Sequence, residues 1–198
     1  TQVNAAKAAV ESWIAAQPGG AAALEAAAQV KLPPLVPAGD VDALLEGVER
    51  IHPDPWHDVS EADFRAAADE LATRYAELQP DERLVELMRL LALLGERDGH
   101  SGIFPLDPEH ESELSLLPVR LYEFADGLFV VDAIDRPDLV GARVKAIGGV
   151  PVDEVRALVE PLVPRDNESS LTARVPQFLL VAEVLHGLGV TVSADEAE

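Results

Sequence analysis

Hydrophobic period constrains this chain more than any other feature, because the period changes partway along it. Between residues 40 and 94 apolar side chains recur at steps of three and four, whereas beyond Pro118 they form short strand-like runs. A period near 3.6 lines one face of a helix, and short apolar or alternating runs suit strands, so the two stretches call for different local structure. The expected fold class is α+β, with a small antiparallel helical bundle first and a β-containing part after it.

From Asp40, the expected N-cap, Val41, Leu44, Leu45 and Val48 share a helical face that must stop before Pro53. Ser60 and Asp63 stand at capping-box spacing ahead of Phe64, Ala67, Leu71, Tyr75 and Leu78, which predicts a second helix to about Gln79. Pro80 opens a third, with Leu84, Leu87, Met88, Leu91 and Leu94 on one face and Gly95 as the left-handed residue past its end. Short connections between these helices predict one shared core, with Trp56 as a plug over it. Upstream, residues 2–17 and 21–30 read as short helices broken by Pro18-Gly19-Gly20 and closed by Pro33-Pro34, an arm or lid.

Beyond Pro118, Val119 to Phe124 and Leu128 to Ala133 read as strands around an Asp126-Gly127 turn, and Arg143 to Ile147 as a third strand ending at Gly148-Gly149. Val152 to Leu162 resumes helical spacing. A last helix over 168–186 carries Leu171, Val175, Leu179, Ala182 and Leu185 on one face, with a kink at Pro176. Val190-Thr191-Val192 then reads as a strand without a partner, so a larger fold is expected to continue past Glu198. With neither an initiator Met nor a signal peptide, the chain reads as a processed product or a chosen segment.

Composition narrows the function classes. The 198 residues hold 15 basic against 36 acidic side chains, a net charge of −21, which repels phosphate backbones and anionic lipid heads. Nucleic-acid binding and membrane insertion are not expected, and no apolar run is long enough to span a bilayer. Without cysteine there is no disulfide framework, thiolate nucleophile or cysteine-ligated zinc. The acidity itself reads as solubility rather than as a site for a basic partner.

Three segments, in this order, carry a resemblance. They are the His52-Pro53 loop before a Ser-capped helix, the run Leu93-Leu94-Gly95-Glu96-Arg97-Asp98-Gly99-His100-Ser101-Gly102, and Leu139 to Val152 with its Gly148-Gly149 turn. Together they resemble the N-terminal, non-nucleophile region of the tail-specific and tricorn-like serine proteases, the C-terminal-processing peptidase family. The likeness covers roughly residues 40–190, and the third segment is similar to the strand-turn-strand-helix section of a PDZ domain. Beyond the arm or lid over 1–39, the resemblance implies three parts: a helical bundle over 40–115, a PDZ-like module over 116–164, and a helix with a first strand over 165–198 leading into a catalytic domain. The Gly-rich segment bearing the family's nucleophilic serine, with its later lysine or glutamate, has no counterpart in these residues.

What the resemblance implies is part of a serine endopeptidase, inactive alone, whose partner in the full-length parent is a protein or peptide substrate and which needs no cofactor. An extracytoplasmic setting follows from the family. The alternative is a non-enzymatic PDZ-like peptide-binding or scaffolding module.

His100 matches the histidine that serves as general base in the tricorn-like branch; where a later lysine is the base, the matching histidine is structural. A hydroxyl needs a neighbour of near-neutral pKa to take its proton, which is the chemistry His100 could supply. Its other reading is a loop residue hydrogen bonded to backbone. Ser101 and Asp98 could assist, or be turn and helix-end residues. His52, Asp54, His57 and Asp58 read as a structural loop rather than a metal site, because the prolines spread them. Ser169 and Ser170 lack a glycine elbow and read as N-cap residues. His110 and His186 have no companions at useful spacing.

Overall fold

The computed structural model describes residues 39–94, 98–104 and 114–194, which belong to one compact unit. The arm expected over 1–39, apart from Gly39, and the expectations for Gly95 and His110 lie outside the described residues. Among the described residues the architecture is mixed, with six α-helices and two small antiparallel sheets, as the α+β reading expected.

Helix α1 spans Asp40–Ile51, α2 Glu61–Tyr75 and α3 Pro80–Ala92. Gly39, not Asp40, is the N-cap of α1, and Asp40 sits in the first turn, where its carboxylate accepts the Tyr75 hydroxyl at 2.7 Å. Burial first, and then that hydrogen bond, push the Tyr75 phenol up. Ser60 caps α2 as its spacing predicts, its hydroxyl oxygen accepting the Asp63 N–H at 3.1 Å. The helix ends at Tyr75 rather than Gln79, and Arg83 Nε closes the turn by donating to the Tyr75 carbonyl at 3.1 Å.

Helix α3 differs from the single apolar face expected of it. Its apolar residues do not form one face: Val85 and Met88, with Leu84 beside them, enter one core, whereas Leu90 and Leu94, with Leu87 and Leu91, enter another. A stripe that wide covers more of the helix than one neighbour can bury, so α3 is shared between two layers. The smaller core, under α1 to α3, is centred on Phe64, Ala68, Leu71 and Leu94, and Trp56 packs over it with its ring 5.6 Å from that of Phe64.

Strands β1 (Val119–Phe124) and β2 (Gly127–Ala133) form a hairpin around Ala125-Asp126, with Tyr122 opposite Phe129. Leu128 is buried in the larger core, and Leu121 packs against it. The expected third strand is shorter: Arg143 makes only an isolated bridge to Phe129, and β3 is Ala146–Ile147, paired with β4 (Val150–Pro151). Helix α4 (Val152–Val159) follows, then a short 3-10 turn over Glu160–Leu162.

The single helix expected over 168–186 is two, α5 (Glu168–Phe178) and α6 (Ala182–Gly187). Pro176 lies inside α5, and the break comes after it. Backbone at the break is engaged elsewhere: the Leu180 carbonyl accepts Leu117 N–H at 2.8 Å, and Ala182 N–H donates to the Ser115 carbonyl at 2.9 Å. A chain paired sideways in this way cannot also complete helical bonds. Val190 to Val192 are not a strand either, because the N–H groups of Val190 and Thr191 turn back to the Leu185 carbonyl, at 2.9 and 3.4 Å. Among the described residues no helix is long and apolar enough to cross a membrane.

Candidate functional site

On the open flank of the smaller core lies a cleft of about 760 Å³. Leu44, Val48, Leu91 and Leu94 form its apolar wall, and His52, His57, Asp98, His100 and Ser101 lie along it. Asp98, His100 and Ser101 are therefore brought together, as their adjacency in sequence requires. What the sequence did not show is that His52 joins them, from 46 positions away.

The α1 helix delivers His52. Pro53 forces the residue before it out of helical geometry, so His52 caps α1 with extended backbone, φ −77° and ψ 127°. Its ring then sits with Nε2 2.8 Å from Asp98 Oδ2, and the Asp54 N–H donates to its Nδ1 at 3.1 Å. Because Nδ1 accepts, the neutral ring carries its proton on Nε2 and gives it to Asp98. The His57 ring stacks alongside, 5.8 Å away and tilted by 13°, with its Nδ1 2.8 Å from the Asp54 carbonyl oxygen and its Nε2 3.5 Å from Asp58 Oδ2.

Asp98 is the hub of the loop. Burial alone would raise its pKa, but hydrogen bonds from the Ser101 side chain, His52 and the His100 backbone outweigh it and hold the carboxyl down at about 2. The carboxylate takes the His100 N–H on Oδ1 at 3.0 Å, so its link to His100 runs through the backbone. Gly99 fastens the loop from the opposite side by donating its N–H to Asp166 Oδ1 at 3.0 Å. A Cβ at this position would lie 2.3 Å from the Asp166 carboxylate, so glycine is what permits the approach. His100 itself is exposed at the cleft.

The other candidates fall elsewhere. Ser170 completes the cap of α5, its N–H donating to Asn167 Oδ1 at 3.0 Å while its hydroxyl oxygen accepts the Asn167 N–H at 3.1 Å. Ser169 is exposed in the same first turn. The His186 ring pairs with Asp81 at 2.6 Å, joining α6 to the start of α3. Among the described residues no three His, Asp or Glu side chains are gathered as a metal ion requires. No protein-family model, curated protein or solved structure matches the chain.

Proposed function

We propose that this chain is the substrate-facing part of a serine endopeptidase, in which His100 is the general base for a serine outside these residues. One observation carries the reading. The Asp98–Ser101 loop is fastened by His52 on one side and Asp166 on the other, and the residue it leaves exposed at a largely apolar cleft is a histidine. A loop pinned in this way holds an imidazole in place before substrate arrives, and such preorganisation is what proton abstraction from a serine needs. On this reading the chain is inactive alone, because the Gly-rich segment that would bear the nucleophilic serine has no counterpart in these residues, while Ser101 is engaged with Asp98 and Ser170 with the cap of α5. Residues 116–164 are read as a PDZ-like module on the strength of a hairpin, a tight Gly148-Gly149 turn and a following helix.

The test uses a longer form of the protein that carries the serine. There His100→Ala is expected to cut the rate constant for peptide cleavage by about a thousandfold or more, since the members of such a constellation act as a unit. A folded His100→Ala protein that keeps most of its activity, with an alkaline-shifted profile, would point to a lysine base instead. Covalent labelling of any serine in the 198-residue chain by a serine-directed phosphonate would overturn the claim that the nucleophile lies elsewhere.

A second reading, a non-enzymatic peptide-binding module, is favoured by one surface. Tyr122 and Phe124 lie exposed on β1 with ring centroids 4.7 Å apart, and Phe124 meets Phe129 edge-on at 5.7 Å. Such an aromatic face suits an extended partner laid along the hairpin.

A further inference from the structure

The His52–Asp98 pair is sheltered, with 15% and 12% of the two side chains exposed, whereas His100 is exposed. His52 also has both ring nitrogens in use, one receiving the Asp54 N–H and the other facing Asp98. A neutral imidazole so placed has no lone pair left to take a proton from a substrate. Its chemistry is therefore that of a donor to Asp98, and Asp98 in turn holds the His100 backbone.

We propose that His52 is the positioning residue of the candidate site: through Asp98 it sets the backbone of His100, and with it the place of the His100 ring beside the cleft. A carboxylate with a donor on each oxygen cannot turn about its last torsion without losing one of them. Remove the His52 donor, and Oδ2 loses that partner, so the plane of the carboxylate, which orients Oδ1 toward the His100 N–H, is held by the Ser101 side chain and the His100 N–H without the anchor from α1. His52 is itself fixed from three sides: by Pro53 through its backbone, by the Asp54 N–H, and by the His57 ring. The catalytic consequence rests on the reading of His100 as the base. The positioning is a property of the chain alone and is measured without activity.

The experiment compares His52→Ala, His52→Asn and His52→Gln in the 198-residue chain by NMR. Glutamine places an amide N–H near the position of Nε2 and restores the donor to Asp98. Asparagine reaches only the position of Nδ1 and does not. In the unsubstituted chain the 15N shifts of the His52 ring should show the Nε2–H tautomer. Hydrogen exchange at the His100 amide should quicken about 10-fold or more in the alanine and asparagine variants and return close to its original rate with glutamine, while core amides of α2 and α3 are unchanged. Should the alanine variant fail to fold, the asparagine and glutamine pair decides alone. An unchanged His100 exchange rate in the folded alanine or asparagine variant, or an Nδ1–H tautomer, overturns the proposal. In a longer, cleaving form, kcat should fall with asparagine and recover with glutamine while KM stays level. A loosened loop with unchanged kcat would overturn the general-base role of His100 and leave the positioning intact.

Discussion

The two cores of this protein are closed in different ways. The smaller one, under α1 to α3, draws its buried residues from Val41 to Leu94, helix against helix along a short stretch of chain. The larger draws from Val85 to Val190 and joins helices, the hairpin and the β3–β4 turn. Among the described residues, α3 alone serves both. The candidate site follows from this division, because its apolar wall belongs to the smaller core while the loop bearing His100 is tied to both sides, by His52 after α1 and by Asp166 before α5. A site strung between two cores holds its geometry only while both are intact.

The sharpest way to break this comparison is Phe64→Ala. Phe64 is fully buried in the smaller core, and its truncation should cost about 3–5 kcal/mol, measured as a shift in the denaturant midpoint. If the two cores are separable, hydrogen exchange should quicken across α1 and α2 while the amides of Val155 and Leu185 stay protected. Equal loss in both would mean that α3 couples them into one cooperative unit and that the division is only geometric.

A smaller effect probes the seam between α3 and the larger core. A Cβ on Gly187 would lie 2.3 Å from the Asp81 carbonyl oxygen, which is backbone and cannot swing aside. Gly187→Ala should therefore cost about 1–3 kcal/mol, and a change below about 0.5 kcal/mol would show that α6 shifts freely against α3.

The smallest expected effect is on pH. Asp98 has its carboxyl held at about 2, below the ordinary carboxylate value near 4, so its contribution to stability is present above that ordinary value. It is lost as pH falls from about 4 to about 2, because the unfolded state takes up the proton first. After allowance for solvent screening at a loop, the loss should be about 1 kcal/mol. Urea midpoints measured above and below this window should converge in Asp98→Asn. A variant that keeps the full acid sensitivity would place its source elsewhere.

Much of the local structure was legible. Ser60 with Asp63 and Pro80 at a first helical turn each act within a few residues and appear where their spacing predicted, and the hairpin forms as expected with its turn at Ala125-Asp126, one residue before the Asp126-Gly127 signal. The same holds for Asp98, His100 and Ser101, which are neighbours in sequence and neighbours at the cleft. Less was legible where a residue's role depends on a distant partner. Leu84 shows the same three-and-four spacing as Leu87, yet it faces the other core, because the period says that a stripe is apolar and not which element covers it. His52 read as a loop histidine, since nothing near it in sequence indicates a carboxylate 46 positions on.

By itself, then, the sequence determined the starts of α2, α3 and β1 and which short motif could carry chemistry, since caps, prolines and hydrophobic period are local physical constraints. Only the tertiary structure decided that α3 is shared by two cores and that the last helix breaks at 179–181. It decided likewise that His52 and Asp166 grip the loop that presents His100. The reason is common to all three. Each depends on a backbone group or a side chain meeting a partner far along the chain, and such a meeting is settled by how the elements pack together, not by the spacing within any one of them.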